Sequence, residues 1–230
     1  MTRKTLNLQA HKQILTAILL DIFKKLNGKL GFKGGTCAYL FYNLPRASFD
    51  LDFDILTPLT ESEKDNLRTI LQKHGRIKSF RDKYFTLFFL LDYQKDAPNI
   101  KIELNKRTCE NEKYDSIWFL GVEMKITDKA TTFTNKIIAL GNRKQPVARD
   151  LFDVYYFLKV GFPINEKLIK ERTGKSLKDY LIFLPSFIKK HYNSKNILQG
   201  LGEVLDRKQK EWVKKELISE TIKELEKLIK

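Results

Sequence analysis

Three carboxylates stand at alternate positions in Phe49-Asp50-Leu51-Asp52-Phe53-Asp54-Ile55. Successive side chains of an extended segment point to opposite faces. Asp50, Asp52 and Asp54 therefore share one face, about 6–7 Å apart, while Phe49, Leu51, Phe53 and Ile55 share the other. Like charges so arranged repel one another and bring no evident folding benefit. Hard oxygen donors on a rigid strand are what a magnesium pair takes, whereas a solvated acidic face is the plainer alternative. A second group, Gly34-Gly35-Thr36, opens a short helical stretch, Cys37 to Tyr42. Paired glycines let backbone N–H groups approach a phosphate, the helix start adds partial positive charge, and Thr36 offers a hydroxyl. Alone, the same tripeptide serves equally in an ordinary turn. The third group is Glu103 in Ile100-Lys101-Ile102-Glu103-Leu104. An acid there suits a strand lying beside the Asp strand, where it would complete a two-metal donor set and could take the proton from an attacking hydroxyl.

Positioning these groups requires a sheet with helices around it. An amphipathic helix runs from about Gln9 to Asn27 and stops at Gly28; Leu15, Ile18, Ile22, Phe23 and Leu26 form its apolar stripe. Phe49 to Leu56 is a strand by its period of two. Thr60 with Glu63 reads as a capping box for a helix that Gly75 closes. Strands are predicted over Ile77–Phe80, Tyr84–Tyr93, Asn99–Asn105 and Ser116–Ile126. Beyond Asp128 the pattern is helical, with apolar stripes in Ala130–Leu140, Val147–Val160, Ser176–Tyr192 and Lys208–Ile229. The expected class is α+β: a short mixed sheet flanked by helices, followed by an all-helical C-terminal half.

Composition narrows the partners. The 230 residues carry 43 Lys plus Arg against 28 Asp plus Glu, a formal charge of +15 that predicts an anionic partner. The excess is +9 over residues 1–160 (27 − 18) and +6 over 161–230 (16 − 10), so it belongs to a folded surface and not to a basic tail. Lysine-rich solubilisation alone is the other reading of that charge. A 42% hydrophobic content excludes a disordered chain. Neither a membrane-spanning run nor a secretory leader is evident, and the expected location is cytoplasmic. Two cysteines cannot make a disulfide framework or a zinc site from cysteine alone. Cys37 reads as a small buried hydrophobe, and Tyr155-Tyr156-Phe157 as core. His11, His74 and His191 lack the mutual spacing of a metal site, and no P-loop motif occurs.

In order, Gly34-Gly35-Thr36 and Arg46-Ala47-Ser48-Phe49-Asp50-Leu51-Asp52-Phe53 resemble the signature of the AbiEii-type nucleotidyltransferases, a branch of the polymerase-β-like superfamily. That signature is a Gly-Gly/Ser start, a spacer, then Arg-x-Ser-x-Asp-h-Asp with h hydrophobic. Lys136-Ile137-Ile138-Ala139-Leu140, Arg143 and Arg149-Asp150-Leu151-Phe152-Asp153 are similar to the family's later Lys helix and Arg-Asp-x-x-Asp helix. The match spans roughly residues 10 to 160.

The resemblance implies a nucleotidyltransferase fold, with a catalytic domain over residues 1–126. Residues 127–230 would form a helical domain contributing to the active-site cleft. It implies two Mg²⁺ ions on Asp50, Asp52 and Glu103. Gly34, Gly35, Thr36 and Ser48 would hold the NTP, Arg46 and Lys136 would neutralise phosphate charge, and Asp150 would be an acid needed for nucleotide contact or activity. An i, i+4 ion pair with Arg149 is the alternative for Asp153. The implied reaction moves a nucleoside monophosphate onto an acceptor hydroxyl, at the tRNA 3′ end, as the toxin of a type IV toxin–antitoxin or phage-exclusion pair with a winged-helix antitoxin repressor. Two other functions fit parts of the pattern: a small-molecule (aminoglycoside-like) or protein nucleotidyltransferase, and a catalytically idle RNA- or partner-binding module.

Overall fold

A computed structural model describes residues 7–95, 97–107, 109–143, 145–201 and 205–229. The chain divides into two compact units, Met1–Thr127 and Asp128–Lys230.

The first unit contains helices α1 (Leu8–Leu26), α2 (Gly34–Phe41) and α3 (Glu61–His74). Its seven strands are β1 (Leu30–Lys33), β2 (Leu51–Ile55), β3 (Arg76–Asp82), β4 (Thr86–Asp92), β5 (Ile100–Asn105), β6 (Tyr114–Phe119) and β7 (Val122–Thr127). They make one mixed sheet in the order β3-β4-β5-β2-β1-β7-β6. The pairs β2–β5 and β1–β7 are parallel, and every other neighbouring pair is antiparallel.

One face of this sheet is apolar. Phe32, Leu51, Phe53, Leu87, Phe89, Leu91, Ile100, Ile102, Leu104, Met124 and Ile126 meet the buried stripe of α1 and Leu67, Ile70 and Leu71 of α3 in a single core. α1 begins where Asn7 accepts a hydrogen bond from the Ala10 N–H at 3.0 Å. α3 begins with the Thr60–Glu63 capping box read from the sequence. Alternation then commits the opposite face of β2 and β5 to polar side chains. The buried Cys37, on α2, belongs to the same core.

Three elements depart from expectation. β1 has no counterpart among the expected strands, because four residues that include Gly31 carry too short an alternation to register as one. Gly31 is kept free of a side chain because the Tyr114 ring fills the space beside its Cα. The single strand expected over Ser116–Ile126 is a hairpin, β6 and β7, turning through Leu120 and Gly121 at φ of 49° and 78°. Two successive positive φ angles match the twist of a two-residue turn. The helix over Glu166–Thr173 in the second unit was not foreseen at all.

The second unit is helical throughout: α4 (Lys129–Asn142), α5 (Ala148–Lys159), α6 (Glu166–Thr173), α7 (Leu177–His191) and α8 (Arg207–Ile229). Asp128 caps α4 by accepting from the Thr131 N–H at 2.6 Å. Gly174 closes α6 in the left-handed conformation, φ 72°. Phe157 is core, as expected, buried against Phe133 and Phe162, whereas Tyr155 and Tyr156 are half-buried, Tyr155 packing on Trp212. No helix among the described residues is long and apolar enough to cross a membrane.

Candidate active site

The glycine pair and the acidic strand meet. Gly34 joins β1 directly to α2 at φ +82°, and a Cβ added there would overlap Asp52 Oδ2. A Cβ on Gly35 would come within 2.8 Å of Ser48 Oγ and 3.3 Å of an Arg46 guanidinium nitrogen. Both glycines are required by close approach: the first by the metal-type carboxylate, the second by the hydroxyl and cation of the Arg-x-Ser motif.

Register extends the cluster across the sheet. Lys33 of β1 lies opposite Asp52 of β2, and Asp52 lies opposite Glu103 of β5. Register partners on neighbouring strands project to the same side, so Asp52 and Glu103 stand side by side at strand spacing, about 4.8 Å between backbones. Asp50 immediately precedes β2. Its carboxylate lies 3.7 Å from the ammonium of Lys101 and accepts a long 3.4 Å bond from the Lys101 N–H. Among the described residues, no three His, Cys, Asp or Glu side chains are already gathered as a metal cluster. What the chain does present is one carboxylate held against Gly34, a second beside it on β5, and a third resting on an exposed lysine. These are hard donors of the right type for magnesium on the central strands of a rigid sheet.

The neighbouring acid has a different task. Asp54 is buried, with Oδ1 receiving Lys33 Nζ at 2.5 Å and Asn105 Nδ2 at 2.7 Å. Its Oδ2 receives the Tyr114 hydroxyl at 2.7 Å. Burial works to raise the pKa of this carboxyl. The Lys33 charge and the hydrogen bonds outweigh it and hold the group below its ordinary 3.8. Burial, together with Asp54 and Glu112, pushes the Tyr114 phenol up. Asp54 therefore anchors β1, β2, β5 and β6 beneath the site and is already fully engaged.

Two of the expected NTP contacts are buried. Thr36 is fully buried; its hydroxyl donates to the Asp50 carbonyl and lies 3.0 Å from Ser48 Oγ. Its side chain thus braces the strand entry. Arg46 is also buried, donating at 3.1 Å to the Ala47 carbonyl, with its guanidinium against Gly35.

Lys136, Asp150 and Asp153 form a separate cluster in the second unit. Lys136 on α4 pairs at 2.8 Å with Asp153 on α5, whose side chain is completely buried. Asp153 thus draws its ion pair from the neighbouring helix. Asp150 Oδ2 lies 2.6 Å from Arg143 Nε without an aligned hydrogen bond, and burial raises this carboxyl above its ordinary value against the pull of Lys136 and Arg143. The distance establishes charge proximity, while the misalignment explains why burial prevails. The part of Lys136 and Asp150 in catalysis rests on the family resemblance alone.

Sequence reasoning missed Lys33, Lys101 and Tyr114. Lys101 was within reach, since the alternation that exposes Glu103 puts it on the same face. Lys33 and Tyr114 needed the pairing of β1, which the sequence conceals. His11 is likewise more involved than its isolation suggested: buried, it meets the Tyr93 hydroxyl at 2.7 Å and packs edge-on against Phe49, next to Asp50. Burial lowers its pKa, with the Phe49 backbone and Asp50 opposing.

The family description "Nucleotidyl transferase AbiEii toxin, Type IV TA system" matches residues 17–225. Among solved structures, the chain is similar to a candidate nucleotidyltransferase from H. pylori: TM-score 0.60, 21% identity, 99% of each chain covered. It is also similar to JHP933 from Helicobacter pylori: TM-score 0.57, 22% identity, 96% of this chain and 94% of that one. An antigenic nucleotidyltransferase-like protein from Paracoccidioides brasiliensis aligns at TM-score 0.51 and 16% identity, covering 80% of this chain and 90% of that one. These likenesses carry the fold. No curated protein matches. With the family description spanning nearly the whole chain, this protein belongs to the AbiEii nucleotidyltransferase toxins of type IV toxin–antitoxin systems.

Proposed function

We propose that this chain transfers a nucleoside monophosphate from an NTP to a hydroxyl of RNA, at the tRNA 3′ end, and so acts as a toxin that blocks translation or phage growth until its antitoxin restrains it. The single observation that carries the reading is the fit of Asp52 Oδ2 into the space left by Gly34, with Glu103 in register beside it. The backbone N–H groups of Gly34 and Gly35 bind phosphate oxygens at the start of α2, and the Ser48 hydroxyl and buried Arg46 guanidinium hold the same group from the side. Asp50, Asp52 and Glu103 would hold magnesium, which when bound draws charge from the triphosphate and the acceptor oxygen.

In the transfer, a bond forms between the acceptor oxygen and the α-phosphorus, and the bond from that phosphorus to the bridging oxygen of pyrophosphate breaks. The acceptor hydroxyl's proton passes to the Glu103 carboxylate, and pyrophosphate leaves with the electron pair. RNA as acceptor is supported by the +15 charge spread over both halves of the chain. The protein partner implied by the family is an antitoxin; we propose a winged-helix repressor. Incubation with total tRNA, Mg²⁺ and each labelled NTP in turn tests the reading. Label should enter tRNA with the native chain and not with Asp52→Ala. Label entering a protein or small molecule instead would overturn the acceptor assignment.

A further inference from the structure

The row that carries Asp52 and Glu103 does not end at β5. Glu103 lies opposite Phe88 of β4, and Phe88 lies opposite Arg81 of β3, the edge strand. Lys33, Asp52, Glu103, Phe88 and Arg81 thus form one line across five strands on one face, with neighbours about 4.8 Å apart. Phe88 is partly exposed and Arg81 exposed. Three residues along the chain from Phe88, about 10 Å, the β3–β4 hairpin turns through Lys83-Tyr84-Phe85.

Hairpin tips favour Gly, Asn and Asp for their backbone freedom. This one spends its tip on two aromatics. Tyr84 is 86% and Phe85 46% exposed, and their rings meet edge-on at 4.6 Å. Arg107 lies over Phe85 at 4.3 Å. The only acid of the tip, Asp82, is neutralised by Lys64 and Lys106. Exposed π-faces interleaved with Arg81, Lys83 and Arg107 are what a single-stranded nucleic acid takes, the bases stacking and the phosphates meeting cations. A protein partner would find little of the contiguous apolar area that such contacts use.

We propose that the β3–β4 hairpin is a landing strip for single-stranded RNA, with bases on Tyr84, Phe85 and Phe88 and phosphates on Arg81, Lys83 and Arg107, delivering a 3′ end along the row toward Glu103. The last step rests on the RNA-acceptor reading above; the binding surface itself does not.

Fluorescence anisotropy of the full chain with a fluorescein-labelled RNA of about 12 nucleotides tests the surface. The Tyr84→Ser/Phe85→Ser double variant should bind RNA at least about tenfold more weakly, and Tyr84→Trp should bind like the native chain. Arg81→Gln/Lys83→Gln should flatten the logarithmic salt dependence by roughly 1.4 units, about 0.7 for each cation removed. NTP affinity by calorimetry and Tm should stay unchanged in every variant. RNA binding by the double variant equal to that of the native chain, or a parallel loss of NTP affinity, overturns the proposal. Label transfer separates the two readings. Native chain that labels RNA while the double variant binds it undiminished sinks only the landing strip. Hairpin-dependent RNA binding with no label transferred sinks only the RNA-acceptor reading.

Discussion

Asp52 Oδ2 occupies the volume that a Cβ on Gly34 would need. The carboxylate and the glycine turn are therefore one object, and neither can change alone. Gly34→Ala should cost stability through its φ of +82° and displace Asp52 as well, whereas Gly28→Ala, at φ +77° with nothing within 4 Å, should pay only the backbone penalty, about 1 kcal/mol. Label transfer and urea unfolding of both variants check this: Gly34→Ala should lose at least about a hundredfold in transfer while Gly28→Ala stays near native activity.

Asp52 and Asp54 stand two residues apart on one strand and carry different tasks. Asp52→Asn, which keeps the side-chain volume beside Gly34, should abolish transfer. Asp54→Asn leaves Lys33 without its charge partner and should lower stability by about 3 kcal/mol. Because the folded carboxyl of Asp54 lies below 3.8, its contribution is complete above that value and lost as pH falls through the folded pKa. The stability gap between native chain and Asp54→Asn should accordingly narrow below pH 3.8, which denaturant titrations across acid pH will read.

The two buried acids of α5 offer a second contrast. Removing the charge of Asp153 strands Lys136, so Asp153→Asn should melt well below the native chain, by roughly 3–5 kcal/mol in unfolding free energy. The Asp150 carboxyl is raised by burial, so its charged form opposes folding. Stability linked to it is present below its ordinary pKa and lost as pH rises through the folded value. Asp150→Asn should therefore be better tolerated at neutral pH than Asp153→Asn, and parallel thermal melts of the two decide it.

His11 predicts an acid limb. Burial holds its pKa below 6.5, so the neutral ring contributes stability that is complete above 6.5 and lost as pH falls through the folded value. Native chain should lose Tm on acidification below pH 6.5, and His11→Leu should flatten that segment of the curve. An unchanged slope in the variant would assign the limb to other groups.

The acid strand and the glycine pair were legible because each has a short-range signature: a period of two in Phe49–Ile55 and two glycines at a helix start. The capping box of α3 and the stripe of α1 were equally local. β1 was hidden because Leu30-Gly31-Phe32-Lys33 is shorter than any period that could reveal it, yet its pairing brings Lys33 to Asp54. Helix α6 was hidden because only Leu168 and Ile169 of its eight residues are buried, too few to draw a stripe. The hairpin of β6 and β7 escaped notice because Leu120 adopts a positive φ that its residue type does not advertise. The burial of Thr36 was not legible because its residue type suits an open turn equally, and only the three-dimensional packing sets its hydroxyl on the Asp50 carbonyl.

β3 closes one side of the sheet, and among the described residues no strand lies beside its outer backbone groups. Such a border invites a second chain to add on, which is how sheets begin to aggregate. Here the border bears exposed Arg76, Lys78 and Arg81 and is kinked by an irregularity between Ile77 and Ser79. Arg76 and Lys78 are paired with Asp92 of β4, so Arg81 with the broken ladder is what a second edge would meet. A cation placed to attract a polyanion thus also makes this border a poor template for another strand.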